Sequence, residues 1–433
     1  LAPVILAVHV ADSDQVRTLR DHPSVLVAAG VLGVAVLTGL ALVFARVPAA
    51  LPVAVALTIP FRIPIAVGGS SANLLLPLYL VVAAGVLAYA VPRITGRTRA
   101  AGPDSLDGPP RGALDWVLAV VLVLYAAQSA YGPGDDRALE NVVFFYVPFA
   151  ALYVLVARIR WTGRIPGLTL GVLTGLASAL AAIGYVEYAT RHLFLNPKVI
   201  ASNQLEDYFR VNSLFFDPNI YGRFLAIVLV LLVAWMLWRG RSRDVWLGAI
   251  VVAFLFGGLV LTLSQSSFAA LLVGLAVLGA LRWSVRWAVL ITGGALVAAL
   301  VAVALGTTAF DGGSGANKAT SGRSDLISGG VHLFTDRPLQ GWGSGSFARQ
   351  YRRAEDVSAE RATSASHTIP ITVAAEQGVA GLLAYLALLV SAFALLFRRI
   401  RGSGPVRAGV AAAFTALVAH TMMYAAFLED PLT

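Results

Sequence analysis

The chain has 433 residues, a net charge of +9 and no Cys, and 58% of its residues are hydrophobic against 13% charged. A typical soluble domain is about 25% charged, so an ordinary water-soluble globule is excluded. The lack of thiols excludes disulfide scaffolds, zinc–thiolate sites, iron–sulfur clusters and Cys nucleophiles. The apolar blocks match a hydrocarbon layer of about 30 Å crossed at about 1.5 Å per residue. The sequence therefore predicts an all-α, polytopic membrane protein.

Hydropathy predicts about twelve membrane segments, of which the second, fifth and ninth are short or interrupted by proline. Residues 1–305 hold the first ten segments and an outward loop at 190–218, residues 306–370 form a second outward loop, and residues 371–433 hold the last two segments. The predicted segments are Ser24–Phe44, Val47–Pro60, Asn73–Val91, Leu114–Ala130, Asn141–Val156, Leu168–Tyr188, Asn219–Trp238, Val245–Leu263, Ser267–Leu281, Trp287–Leu305, Ile371–Phe397 and Ala408–Phe427.

The connecting loops alternate in charge along the chain. Arginine-rich loops remain in the cytoplasm, so every second loop is predicted to be cytoplasmic. Membrane topology therefore explains the net charge better than nucleic-acid binding does. Both ends of the chain are then predicted to face outward, which predicts a further helix before Leu1. The basic residues of the predicted cytoplasmic loops are Arg46, Arg93, Arg97, Arg99, Arg111, Arg158, Arg160, Arg164, Arg239, Arg241, Arg243, Arg282, Arg286, Arg398, Arg399, Arg401 and Arg407.

The long loops are Thr190–Pro218 and Gly306–Pro370, and both are predicted to lie outside. A loop as long as the second is uncommon in a compact protein unless it carries a function. It also collects cations where the insertion rule disfavours them, so we expect an anionic ligand there. The basic residues of this loop are Lys318, Arg323, Arg337, Arg349, Arg352, Arg353 and Arg361.

Part of the second loop is predicted to be helical, because apolar residues recur there at helical spacing. A helix with one apolar face lies in the membrane interface. The residues predicted to share that face are Leu326, Ile327, Val331 and Phe334.

Three polar residues lie near the first outward loop. Asp217 followed by Pro218 predicts a helix start, with the carboxylate as the N-cap. Arg210 precedes this helix at the membrane boundary, where it either extends to solvent or binds a ligand. Glu187 lies inside the sixth segment, where a carboxylate is costly in lipid, and is predicted to face the protein interior.

His367 lies ahead of Pro370, where the second loop re-enters the membrane. A neutral imidazole accepts a hydroxyl proton near neutral pH, which Lys and Arg do not. Glu376 is out of phase with His367 on an ideal helix, so the two side chains are not expected to meet unless Pro370 distorts the backbone. The glycines of 341–345 lack the Lys that completes a phosphate loop, so they predict turns where backbone approaches another group closely. No metal-ligand spacing occurs, so no metal is expected.

Three stretches resemble the O-antigen ligase and polymerase superfamily of bacterial membrane glycosyltransferases. They are Arg210–Phe224 (Arg…Phe-Asp-Pro-Asn-x-Tyr-Gly), Gly322–Phe347 (Gly-Arg-Ser-Asp, then Asp-Arg-Pro-Leu-x-Gly-Trp-Gly-x-Gly-x-Phe) and His367–Leu382 (His-Thr, then Ala-Glu-Gln-Gly-Val-Ala-Gly-Leu). The resemblance implies a glycosyltransferase-C-like bundle in the bacterial plasma membrane. Such an enzyme moves a glycan from undecaprenyl diphosphate to a glycan, lipid or protein acceptor on the outer face, without a metal or cofactor.

The resemblance also implies roles for particular residues. Arg210 and Arg323 would bind the diphosphate, since a guanidinium matches phosphate oxygens and keeps its charge. His367 would be the base. Gln265 stands where many family members have Arg, so carrier binding would be arranged differently here if that Arg contacts the lipid head group in the family. Thr368 stands where most members have Asn. The residues expected to support the site are Asp217, Asn219, Arg337, Gly341, Gly343 and Glu376.

Three other functions are open at this point. A polymerase of the same superfamily shares the carrier site and differs in the acceptor groove, which the sequence does not reveal. A lipid-linked oligosaccharide flippase or other transporter is a different class, disfavoured because charges are scarce in the middle of the segments. A binding or scaffold protein is the third.

Overall fold

The structure is a computed structural model that describes residues 23–61, 63–67, 70–96, 112–129, 137–195, 200, 203, 208–238, 242–286, 290, 315–355 and 368–424. These residues form two compact units. The first comprises the described residues up to 126 together with 137–173. The second comprises 127–129 and the described residues from 174 onward.

The first unit is helical apart from one antiparallel hairpin, in which Ile63 pairs with Leu74. The hairpin departs from the all-α prediction. Its sequence signal is a run of alternating β-branched residues followed by Gly-Gly, which hydropathy does not detect. The elements are α1 (Pro23–Arg46), α2 (Ala50–Thr58), β1 (Ile63–Val67), β2 (Ser70–Leu74), α3 (Leu76–Ile94), α4 (Ala113–Gln128), α5 (Arg137–Asn141), a π-helical turn (Val142–Tyr146), α6 (Val147–Ala157) and the start of α7 (Ile165–Thr190).

Helix α3 is central to the first unit, where it packs against α1, α2 and α6. Gly85 allows α3 and α6 to approach each other closely, because a Cβ there would lie 2.8 Å from a methyl of Leu155. The π-helical turn precedes Pro148, which has no N–H to donate to the carbonyl of Phe144. The hydroxyl of Tyr79 donates to that carbonyl instead, at 2.8 Å. A proline in an apolar helix is thus accommodated by a neighbouring side chain.

The second unit is built around α8, which contacts α9, α10 and α14. Small residues bring these helices together: a Cβ on Gly274 of α10 would lie 3.2 Å from that of Ala416 on α14. Packing through Gly and Ala is typical of helices in membranes. The elements are the rest of α7, α8 (Pro218–Trp238), α9 (Ser242–Thr262), α10 (Gln265–Arg282), α11 (Gly315–Asp336), α12 (Phe347–Glu355), α13 (Ile369–Phe397) and α14 (Pro405–Thr421).

Seven of the described helices, α1, α3, α7, α8, α9, α10 and α13, are long and apolar enough to cross a membrane. Shorter apolar helices lie at Ala113–Gln128 and Val142–Ala157. The prediction of a polytopic membrane protein agrees with this architecture, whereas the number twelve is not confirmed. Helix α2 has only 9 residues. The predicted tenth segment, Trp287–Leu305, lies outside the described residues except for Leu290.

Helix α13 is broken at Gly378, which has φ +65° and ψ −163°. The N–H of Val379 donates to the carbonyl of Pro338 at 2.7 Å, and the carbonyl of Gln377 accepts from Nε2 of Gln128 at 3.3 Å. The peptide groups at the break therefore find partners outside the helix, as backbone away from water requires. This break was not predicted from the sequence.

Helix α11 confirms the predicted helix in the second loop but corrects its apolar face. Leu326 and Leu333 are buried against α12 and α13, whereas Ile327 is 37% and Val331 47% exposed. Gly329 explains the difference, because a Cβ there would overlap the ring of Tyr351 on α12. The packing face thus runs through a glycine, which a count of apolar side chains ignores.

Candidate functional site

Arg210 is held at the ends of two helices. Its Nε donates to the carbonyl of Thr262, the last residue of α9, at 2.9 Å. Its Nη2 donates to Oδ1 of Asn219, in the first turn of α8, at 3.1 Å. The side chain of Asn203 bonds the backbone N–H and carbonyl of Arg210 at 3.1 and 2.9 Å. Both the guanidinium and the backbone are therefore fixed before any ligand binds.

The buried carboxylate of Glu187, near the end of α7, anchors the same loop. It accepts the N–H groups of Phe194 at 3.2 Å, Asn212 at 3.3 Å and Ser213 at 2.7 Å. Ser213 has φ +50°, a conformation uncommon for a residue with a side chain, and its hydroxyl donates to the carbonyl of Leu180 at 2.8 Å. The prediction that Glu187 faces the protein interior is confirmed, since it is fully buried.

Asp217 precedes α8, and its carboxylate has two partners. Oδ1 accepts the N–H of Asn219 at 2.6 Å, which is the N-cap contact predicted from the sequence. Oδ2 accepts the hydroxyl of Tyr424 at 2.8 Å. Tyr424 lies just after α14, so Asp217 joins the start of one helix to the end of another.

A buried serine cluster lies beside these residues at the start of α10. The hydroxyl of Ser264 accepts the N–H of Ser267 at 3.3 Å and caps the helix. Nε2 of His420, on α14, lies 3.2 Å from the hydroxyl of Ser266 and 3.3 Å from that of Ser267. Ser267 also donates to the carbonyl of Asn219 at 3.2 Å. His420 had no predicted role, and the signal in the sequence is the serine pair in the first turn of an apolar helix.

Arg223 is a second guanidinium in this region. It lies one turn into α8, is 3% exposed, and is close enough to Asp217 and Tyr424 to interact with both electrostatically. A buried cation is costly unless anionic or polar groups compensate it. Arg223 belongs to the first resembling stretch and had no predicted role, although a charge inside an apolar helix is itself a signal.

His367, the predicted base, lies outside the described residues. Its neighbour Thr368 is described, and the hydroxyl of Thr368 donates to the carbonyl of Met422 at 3.2 Å. Met422 is close in sequence to Tyr424, which bonds Asp217. The residue next to His367 therefore lies at the same end of the helices as Arg210.

Glu376 takes part in a second anchored loop. Its Oε2 accepts the N–H of Gly345 at 2.9 Å, and its Oε1 accepts that of Phe347 at 3.0 Å. Because Phe347 begins α12, the carboxylate also meets the positive end of that helix. The structure thus gives this predicted supporting residue a loop-anchoring contact.

The glycines of the second loop lie against the backbone of α13. Gly341 has φ +66°, and a Cβ there would overlap the carbonyl of Glu376. The N–H of Gly343 donates to that carbonyl at 2.8 Å, and the N–H of Trp342 donates to the carbonyl of Ala375 at 3.1 Å. The predicted close backbone approach is confirmed, and its partner is α13.

Two arginines of the second loop were predicted to act in the site, and the structure describes the side chain of one of them. Arg337 is exposed, and its guanidinium carbon lies 3.9 Å from the centre of the Trp342 ring, a cation–π contact. Arg323 lies in α11, one turn before Leu326, and its side chain is outside the described part. Gln265 is exposed in the first turn of α10, next to the buried serines.

The described ends of α7, α8, α9, α10, α13 and α14 that meet here are the ones predicted to face outward. They define a multi-pass helical membrane protein with a polar site at one end of its second unit. Among the residues that the structure describes, no group of three His, Cys, Asp or Glu is arranged to hold a metal ion.

Residues 250–386 match the family model described as O-antigen ligase. The match confirms the resemblance to the O-antigen ligase superfamily and supports a membrane glycosyltransferase of the ligase or polymerase type. It contains the second and third resembling stretches, whereas Arg210 precedes it. A comparison with curated protein sequences finds no match.

Proposed function

We propose that this protein transfers a glycan from undecaprenyl diphosphate to an acceptor hydroxyl at the outer face of the bacterial plasma membrane. The guanidinium of Arg210 is the observation that carries the proposal. Two of its five N–H groups are engaged, by Thr262 and Asn219, and within the described part of the chain three remain for a ligand. A guanidinium fixed in this way is preorganised for phosphate oxygens.

The transfer breaks the bond between the anomeric carbon and the diphosphate while the acceptor oxygen bonds to that carbon. His367 accepts the hydroxyl proton, and the diphosphate leaves with the bonding electron pair. Direct displacement inverts the anomeric carbon. The growing charge on the leaving group is met by Arg210 and Arg323, because a guanidinium stays protonated and presents paired donors. Fixed cations of this kind stabilise a transition state in which negative charge develops.

The positions of Arg210 and Thr368 support this assignment. Both lie where the ends of α8, α13 and α14 that are predicted to face outward come together, and Thr368 adjoins His367 in the chain. Asn219 holds the guanidinium, and Asp217 caps the helix that carries Asn219. These residues thus act on the carrier site through Arg210.

The direct test reconstitutes the purified protein in liposomes with an undecaprenyl-diphosphate-linked glycan and a glycolipid acceptor. We expect free undecaprenyl diphosphate and a glycosylated acceptor to form together. His367→Ala lowers the rate by about 10²–10⁴-fold if the imidazole is the base. His332→Ala is the matched control, since His332 is an exposed histidine on α11. Full activity in His367→Ala would refute the base, and no release by the wild type would refute the transferase.

The products also separate the alternatives. A ligase attaches one glycan to a different acceptor, whereas a polymerase produces a ladder of lengthening lipid-linked chains. A flippase moves the carrier across the bilayer and leaves its glycan attached. Gel analysis of the products, with carrier bearing a single repeat unit, therefore distinguishes a ligase from a polymerase. Movement of intact carrier to the other leaflet, with no new product on the gel, would identify a flippase.

A further inference from the structure

We propose that Tyr424 is a positioning residue that holds Thr368, the described neighbour of His367 in the chain, in place relative to Arg210. The inference rests on the proposed function and adds to it a link between the two reacting sides of the site. It is carried by two hydrogen bonds made by residues just after α14.

The first bond leads to the carrier side. The hydroxyl of Tyr424 donates to Oδ2 of Asp217 at 2.8 Å. The other oxygen of Asp217 accepts the N–H of Asn219 at 2.6 Å. Asn219 in turn accepts from Nη2 of Arg210 at 3.1 Å. Tyr424 is therefore linked to the guanidinium through Asp217 and Asn219.

The second bond leads to the side of the base. Thr368 donates to the carbonyl of Met422 at 3.2 Å. The N–H of Tyr424 donates to the carbonyl of His420 at 2.9 Å, and that of Met422 to Val418 at 3.3 Å. Residues 422–424 thus continue the turn of α14 and place the Met422 carbonyl and the Tyr424 ring on one short segment.

The break at Gly378 interrupts α13 shortly after this link. The part of α13 before the break, residues 369–377, is held near its end by the loop contacts of Glu376. Its start is instead fixed by local contacts such as that of Thr368. A displacement of about 1 Å between reacting groups costs as much as about 10²-fold in rate, so a hydroxyl that only holds the geometry has a measurable effect.

Tyr424→Phe removes this hydroxyl, and Tyr185→Phe is its matched control. Tyr185 donates to the carbonyl of Phe254 at 2.8 Å, a tyrosine bond of the same length between α7 and α9. We expect kcat of Tyr424→Phe to fall by about 10–10²-fold, with the donor KM nearly unchanged. Tyr185→Phe keeps the wild-type kcat.

The Thr368 side provides a second and independent measurement. Thr368→Val loses the bond to Met422 and lowers kcat as Tyr424→Phe does, whereas Thr368→Ser keeps a hydroxyl and restores most of it. The double variant Tyr424→Phe/Thr368→Val falls little further than either single one, because both remove one link and their effects are not additive.

The outcomes separate two kinds of failure. If the wild type releases no undecaprenyl diphosphate, the proposed function fails. If the wild type is active and kcat of Tyr424→Phe equals that of Tyr185→Phe, the positioning role is refuted. If the losses in kcat of the two single variants multiply in the double variant, the positioning role is refuted as well. Melting temperatures in detergent accompany each rate, and Thr368→Val and Thr368→Ser carry the test if Tyr424→Phe does not fold.

Discussion

Glu187 and Glu376 are two buried carboxylates in two regions of the second unit, and both are compensated in the same way. Each lies on an apolar helix, α7 or α13, and each accepts backbone N–H groups of a neighbouring loop. A buried carboxylate needs such partners, because its charge is costly away from water. In both regions backbone N–H groups bond the buried carboxylate, a contact that an arginine side chain could also make.

The regions differ in what the anchored loop carries. Glu187 binds Phe194 at the start of its loop and Asn212 and Ser213 at its end, so it closes the loop just after Arg210. Glu376 binds Gly345 and Phe347, whereas Arg337, which precedes that loop, stacks on a tryptophan. The number of arginines in a loop is thus a poor guide to the site, and the fixed guanidinium is a better one.

The largest effect in this comparison is expected from Arg210. Arg210→Ala should lower kcat/KM for the lipid-linked donor on the order of 10²–10³-fold, the usual cost of removing one preorganised donor. Arg401→Ala, an exposed arginine between α13 and α14, is the control and should keep the wild-type rate. Release of undecaprenyl diphosphate measures both. Equal rates for Arg210→Ala and Arg401→Ala would refute the role of Arg210 in binding the carrier.

The next largest effect is expected from Glu187→Ala. Three N–H groups lose their acceptor, and each buried unsatisfied donor costs about 1–3 kcal/mol. We expect the free energy of unfolding to fall by about 3 kcal/mol or more and the donor KM to rise, because Arg210 loses its anchored loop. Thermal denaturation in detergent measures the first, and Glu187→Gln, which retains one acceptor oxygen, should be milder. An unaltered melting temperature would contradict the anchoring role.

Glu376→Ala should have a smaller effect, since two N–H groups lose their acceptor. A loss of about 2 kcal/mol in unfolding free energy is expected, with a smaller change in donor KM than for Glu187→Ala. Glu355→Ala, an exposed glutamate at the end of α12, is the control and should melt like the wild type. If Glu376→Ala raised the donor KM more than Glu187→Ala did, the contrast between the two regions would be wrong.

Local signals along the chain predicted much of the fold. Every predicted segment except the tenth overlaps a described helix, because length and hydropathy are local properties. Pro218 and Asp217 marked the start of α8 correctly for the same reason. The face of α11 was wrong, because Gly329 packs by lacking a side chain.

The site was harder to predict, because its contacts join distant parts of the chain. His420 meets Ser266, and Tyr424 meets Asp217, across long stretches whose register hydropathy does not determine. Family resemblance pointed to Arg210 and to Asn219 as a supporting residue. The hydrogen bond between them, and the one from Arg210 to the carbonyl of Thr262, emerged only from the fold. The break at Gly378 was missed since its cause, contact with the loop after α11, is also tertiary.

The interruption of α13 has a mechanical consequence. A continuous helix transmits a push along its axis like a stiff rod, but at Gly378 the ladder of hydrogen bonds is cut. A load on residues 369–377 therefore passes sideways into Pro338 and Gln128, the groups bonded at the break. We therefore expect a shift beside Thr368 to be passed only weakly to the far end of the helix.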